Sequence, residues 1–184
     1  MSVRVFGLAV LLSVSALAAG AAQRSVPARQ PDVVFVPTPP AVVDAMLKLA
    51  KVTSSDVVYD LGSGDGRILI AAAKTYGARG VGIDIDPERT REATANARAS
   101  GVADKVTFRT EDLFTADLGP ATVVTLYLSP TVNARLASKL MKELKPGTRI
   151  VSHAFDLGSW KPQQRTVVSD RPIFLWTVSP PGRS

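Results

Sequence analysis

The stretch Val57-Val58-Tyr59-Asp60-Leu61-Gly62-Ser63-Gly64-Asp65-Gly66-Arg67 most restricts what this chain can become. Val57, Val58 and Tyr59 are strand formers in a nearly continuous apolar run, as a central parallel strand covered on both faces requires. Glycines at 62, 64 and 66 permit backbone conformations closed to other residues and let a ligand approach the main chain closely. A helix over Arg67 to about Tyr76 follows, and the free N–H groups at its start can hold a negatively charged or strongly polar group. The pattern predicts strand, ligand-binding turn and helix rather than a plain tight turn.

The pattern repeats downstream. Gly80 to Ile85 reads as a second strand ending in an acid. Asp86 caps the next helix, Pro87 opens it, and Gly101 ends it after about Ser100. Val106 to Arg109 and Thr122 to Tyr127 read as the third and fourth strands. Ser129-Pro130 opens a helix with Val132, Leu136, Leu140 and Leu144 at four-residue steps, and Arg149 to Phe155 is a fifth strand. Arg165 to Ser169 and Ile173 to Val178 form an antiparallel closing pair. Ahead of the glycine turn, Val33 to Pro40 is extended by its prolines. Ala41 to Ala50 is a helix with Val42, Val43, Met46 and Leu47 on one face and Thr38 as its cap. This order predicts an α/β fold: a Rossmann-like doubly wound sheet, mostly parallel with an antiparallel C-terminal strand, and helices on both faces. Ligand is expected at the C-terminal strand edge, beside the first strand.

The chain of 184 residues, 46% hydrophobic, suffices for one compact domain, expected over residues 33–184. Residues 1–22 form a separate unit: Arg4 precedes an apolar run ending in Ala18-Ala19-Gly20-Ala21-Ala22, the pattern of a signal peptide or an N-terminal membrane anchor. Residues 23–32 are a polar linker. The absence of cysteine excludes disulfides and thiolate sites, and one histidine excludes a multi-histidine metal centre, so no metal is expected. The net charge of +6 is scattered among acids and reads as solvated surface.

The ligand follows from the acids. A dinucleotide turn needs Gly-x-Gly-x-x-Gly, and Arg67 stands where its third glycine belongs. No Gly-Lys-Ser/Thr follows, which removes a phosphate-binding loop. Asp84, ending the second strand, can accept from both hydroxyls of a ribose. Asp60 and Asp65 crowd negative charge around the turn, which repels a pyrophosphate and suits a ligand with an ammonium and a sulfonium. S-adenosylmethionine has both. Asp112, just past the third strand, is placed to accept from the adenine amino group.

Asp60-Leu61-Gly62-Ser63-Gly64-Asp65-Gly66, Gly82-Ile83-Asp84-Ile85 and Glu111-Asp112-Leu113 resemble the cofactor motifs of class I, seven-strand S-adenosylmethionine-dependent methyltransferases, over roughly residues 33–178. The resemblance implies that Asp60, Gly62, Gly64 and Gly66 line the methionine moiety, Asp84 holds the ribose and Asp112 faces adenine, with Ser63 also among the cofactor-binding residues. More narrowly, Phe35-Val36-Pro37-Thr38-Pro39, Gly-Ser-Gly-Asp-Gly-Arg-Ile and Trp160-Lys161-Pro162 resemble the lysine N-methyltransferases of the ATP synthase c subunit and the adenine nucleotide carrier, with their short bacterial relatives. That likeness implies Val36 and Thr38 over the cofactor site and a protein lysine as acceptor. It departs at Leu126-Tyr127-Leu128-Ser129-Pro130. The Asn/Asp-Pro-Pro-Tyr motif of adenine and glutamine methylation is missing there, which argues against nucleic acid.

The chemistry implied is in-line displacement at the sulfonium methyl, driven by alignment and desolvation. Acceptor-side candidates are Tyr127, Ser129, Asn133 and His153, with His153 read as structural before base. Trp160 and Phe155 are read as core before acceptor pocket. A small-molecule methyltransferase, or an exported binding protein with this fold and no catalysis, are the alternatives. The signal-peptide pattern implies export to the periplasm or membrane anchoring. The donor's cytosolic origin keeps a cytosolic-side location in view.

Overall fold

The computed structural model describes residues 30–180; residues 1–22, and the linker apart from 30–32, lie outside that range. Eleven elements run in order among the described residues: α1 (Pro40–Leu49), β1 (Val57–Leu61), α2 (Arg67–Tyr76), β2 (Arg79–Asp84), α3 (Pro87–Ala99), β3 (Val106–Thr110), β4 (Val123–Leu126), α4 (Pro130–Glu143), β5 (Arg149–His153), β6 (Gln164–Val168) and β7 (Arg171–Thr177). The strands form one sheet in the order β3-β2-β1-β4-β5-β7-β6. β3, β2, β1, β4 and β5 are parallel, and β7 inserts antiparallel between β5 and β6. The expected α/β architecture is the observed one.

Two apolar layers sandwich the sheet. Val42, Met46 and Leu47 of α1 and Leu69 and Ala72 of α2 pack on Val58, Val123 and Val151. On the opposite face Leu136 and Leu140 of α4 meet Leu61, Val124, Leu126 and Ile150, with Trp176 closing the layer. No helix links β3 to β4 or β5 to β6, so that second face is finished by the loop residues Ala116, Leu118 and Leu157. α3 starts as its residues dictate: the Asp86 carboxylate accepts from Glu88 N at 2.7 Å, with Pro87 in the first turn.

Local differences from the sequence expectation have physical causes. Thr38 does not cap α1, whose N-cap is Pro39 with no side-chain cap; the Thr38 hydroxyl is turned toward His153 instead. β5 stops at His153, because Ala154 at φ +67° turns the chain away. β7 begins earlier than expected, since Ser169 (φ +49°) and Asp170 (φ +60°) make a two-residue hairpin turn with both residues left-handed.

Candidate functional site

The doubly wound order reverses between β1 and β4, and a cleft opens there at the C-terminal ends of the parallel strands. Its volume is about 360 Å³. One wall is the segment 33–38, which crosses the cleft as a strap; the other walls are the turn after β1 and the segments after β2, β3 and β4.

The turn is fastened from below. Gly62 N and Ser63 N both donate to the Ile83 carbonyl of β2, at 2.8 and 3.1 Å. Gly66 caps α2 at φ +81°, and a Cβ there would lie 2.6 Å from the Phe108 ring, so backbone and packing both demand glycine. Gly64 N donates to Asp84 Oδ2 at 2.9 Å, while Asp84 Oδ1 accepts from Asp86 N at 3.0 Å. Each of those oxygens can accept once more. Asp84 is therefore held in place before any ligand arrives.

Asp60 is 2% exposed, and its Oδ1 accepts from the Thr125 hydroxyl at 2.7 Å. Burial pushes its carboxyl up to about 7; the Thr125 hydrogen bond opposes this, and the charges of Asp84 and Asp65 reinforce it. Asp65, expected from the sequence to crowd negative charge around the turn, has its charge paired. Burial resists its ionisation, but Arg67 grips it through Nε and Nη2 at 3.0 and 2.5 Å and holds it below the usual carboxylate range. Arg67 Nη1 also donates to the Thr38 carbonyl at 3.0 Å, tying strap to turn. Within the strap, Phe35 lies on Gly64, where a Cβ would come 2.2 Å from the ring, and the Arg89 guanidinium sits 5.1 Å from that ring's centre.

Of the residues expected around a cofactor, Thr38, Asp60, Gly62, Ser63, Asp84 and Asp112 line the cleft. Gly64 and Gly66 do not, being covered by Phe35 and Phe108. Asp112 sits in a turn in which its Oδ1 accepts from Phe114 N at 2.9 Å. Among the acceptor-side candidates only Tyr127 fronts the cleft. Ser129 is the N-cap of α4, accepting from Val132 N at 3.3 Å. Asn133 is fully buried and spends its amide on Ser152 and the carbonyls of Phe155 and Asp156.

His153 is buried behind Tyr127, ring centres 3.9 Å apart, with Nδ1 3.2 Å from the Thr38 hydroxyl. Burial, then the charge of Arg171, lowers its pKa to about 4, so it is neutral. The Trp160 carbonyl accepts from buried Trp176 Nε1 at 2.9 Å, and the Trp160 side chain packs against the apolar layer. Phe155 is half-buried, its carbonyl engaged by Ser152 and Asn133.

Thr125 and Arg89, and the place of Phe35 over the turn, are not among the site residues expected from the sequence. The signal for Thr125 was available: it is the one polar residue in the apolar β4 run Val-Val-Thr-Leu. Phe35 and Arg89 lie far apart in sequence, and nothing local announces their pairing. The described residues include no cluster of His, Asp or Glu able to hold a metal ion.

Comparison with known proteins agrees with this geometry. Residues 60–164 match the ANTKMT methyltransferase domain. A protein-lysine N-methyltransferase of Saccharolobus islandicus is 49% identical over 153 residues, covering 80% of this chain and 95% of that protein. The adenine nucleotide translocase lysine N-methyltransferase of Mus musculus is 35% identical over 105 residues, 57% of this chain and 46% of the relative; the chain thus spans about half of that longer protein. Among solved structures, an RNA methyltransferase from Salinibacter ruber in complex with S-adenosyl-L-homocysteine superposes with a TM-score of 0.77 at 56% identity, covering 78% of this chain and 94% of that one. The chain belongs to the ANTKMT methyltransferase family and is a methyltransferase that takes its methyl group from S-adenosylmethionine.

Proposed function

We propose that the cleft holds S-adenosylmethionine along the glycine turn and that the acceptor is a protein lysine nitrogen. The observation that carries the donor placement is the convergence of Asp60, Asp84 and Asp112 on one cleft whose floor is a turn fastened to β2. The fit is supported by Ser63, whose buried hydroxyl oxygen has no protein partner at that floor. Asp84, with capacity left on both oxygens, would hold the ribose hydroxyls; Asp112 would face adenine; Asp60 and the backbone at Gly62 would hold the methionine end, under Thr38 and the strap.

When bound, S-adenosylmethionine supplies a methyl carbon on a positively charged sulfur, open to in-line displacement. The chain's part is placement and exclusion of water. Tyr127, Leu128 and Val132 form an apolar side to the cleft, where a lysine side chain would be stripped of water and pushed toward its neutral, nucleophilic form. His153 is a poor candidate for the base, because it is walled off behind Tyr127.

The lysine reading is supported by the Saccharolobus relative and by the acids lining the cleft, which resist a polyanion. RNA is the second reading, favoured by the Salinibacter structure's description and the net charge of +6. Transfer of labelled methyl from S-adenosylmethionine into protease-sensitive material supports lysine; transfer into ribonuclease-sensitive material replaces it with RNA. Calorimetry on the chain should show binding of the donor, reduced about 30-fold or more in Asp84→Ala through loss of its charge-assisted hydrogen bonds. No heat from the intact chain removes the donor placement. Residues 1–22, outside the described range, are proposed as a signal peptide or membrane anchor, and amino-terminal sequencing of the mature protein decides whether they are removed.

A further inference from the structure

Thr125 stands directly opposite Asp60 in the parallel register of β1 and β4, so the two side chains share one face of the sheet. It is fully buried, and its neighbours along β4 are Val123, Val124 and Leu126. Valine would fill the same space, so packing alone gives no reason for a hydroxyl. The hydroxyl has one proton and two acceptors in reach: Asp60 Oδ1 at 2.7 Å and the Tyr59 carbonyl at 3.5 Å. The shorter contact takes it. On the other side of Asp60 the register position is Gly82, which has no side chain to offer. Among the described residues Thr125 is therefore the side-chain donor to the Asp60 carboxylate.

We infer that Thr125 is a positioning residue for the donor site, its hydroxyl fixing the Asp60 carboxylate in the ionised, cleft-facing state that a cationic ligand requires. The inference rests on the reading of the cleft as the S-adenosylmethionine site. A hydrogen bond donated to a carboxylate favours its charged form, against the burial that disfavours it. The other titratable groups on the surrounding elements do not supply this help. Asp84 of β2 opposes ionisation by its charge; Asp65 does too, although Arg67 pairs with it; Arg89 of α3 is engaged with Glu92 and Phe35; Tyr127 and His153 stack on each other. Removing the hydroxyl leaves Asp60 protonated to a higher pH and the ligand's cation unmatched.

The test is calorimetric titration of S-adenosylmethionine into the wild-type chain, Thr125→Val and Thr125→Ser, between pH 6 and 9. The Thr125→Val variant should bind roughly 5- to 50-fold more weakly at pH 7 and recover to within about threefold at pH 9, as expected when one carboxylate hydrogen bond is lost. Thr125→Ser, which keeps the hydroxyl, should follow the wild-type profile. Should Thr125→Val not fold, Thr125→Ala carries the same comparison. Unchanged affinity, or an equal loss at every pH, overturns the assignment: the first denies Thr125 a role and the second leaves it a purely structural one. A wild-type chain that does not bind S-adenosylmethionine overturns the donor-site reading instead.

Discussion

Asp60 sits under the glycine turn with one hydroxyl donor and two carboxylate neighbours, Asp84 and Asp65, so charging it costs the ligand-free domain stability. The sign follows from its direction. A carboxyl raised from the unfolded value of 3.8 to about 7 binds its proton more tightly in the folded state, so stability is greatest below pH 3.8 and falls until pH 7 is passed. Asp60→Asn removes that cost. At pH 8 the ligand-free variant should resist urea better by on the order of 2–3 kcal/mol, while its affinity for S-adenosylmethionine drops about tenfold or more. Equal stability of the two proteins at pH 8 would contradict the raised value. The residue expected from sequence as a ligand acid is thus also a source of instability, and its strand position could not reveal that. Tight burial and the Thr125 partner come only with the assembled sheet.

The strap and the far edge of the sheet divide two jobs between elements. At the cleft, Arg67 holds Asp65 in the turn and the Thr38 carbonyl in the strap with one guanidinium, and the Thr38 hydroxyl reaches His153 at the end of β5. Arg67→Ala should release the strap, speeding dissociation of S-adenosylhomocysteine about 3- to 10-fold in stopped-flow chase, on the scale of one or two hydrogen bonds. An unchanged rate would mean that the strap does not gate the cleft. At the opposite edge Asp56 accepts from Thr122 just before β4, from the Thr53 amide and from Arg149 of β5, which also donates to the Ala50 carbonyl after α1.

Burial opposes the Asp56 charge, but the Thr122 and Thr53 hydrogen bonds and Arg149 together keep its carboxyl below the usual range. Asp56→Ala leaves Arg149 with backbone carbonyls but no countercharge and should cost about 3 kcal/mol in denaturant unfolding while leaving donor affinity unchanged. Elements whose signals are local are legible in the sequence: the Asp86-Pro87 start of α3, the glycine that follows it at 101, the four-residue steps of α4. Threonine before a proline-led helix looks like a cap, but the partner of Thr38, His153, is 115 residues away. The candidate site was legible where an acid ends a strand, as at Asp60 and Asp84. It is illegible where function depends on what a neighbouring strand presents, as for Asn133, whose amide is engaged at the end of β5; Ser129 is spent locally, on the start of its own helix.

Among the described residues the two large buried titrations, Asp60 and His153, run against each other. His153 is lowered from 6.5 to about 4 by burial and Arg171, so its contribution to stability is present above pH 6.5 and is lost as pH falls toward 4. Asp60 does the reverse over nearly the same window, and each is worth on the order of 3 kcal/mol. Wild-type stability should therefore change by less than about 1 kcal/mol between pH 4.5 and 6.5, whereas Asp60→Asn should gain about 2 kcal/mol over that range as His153 is unmasked. A variant whose profile is as flat as the wild type's would show that the two titrations do not offset.

Gln30, Pro31 and Asp32, which lead into the strap, line the cleft, so the chain enters the domain beside the site proposed for the donor. Residues 23–29 can span at most about 25 Å when fully extended. A membrane anchor at 1–22 would keep the cleft on so short a leash that acceptors in the same bilayer meet it at a high effective concentration, with little need for affinity of their own. Selection would then be made by neighbourhood before it is made by contact, and cutting the leash would spare the catalytic step while scattering its targets.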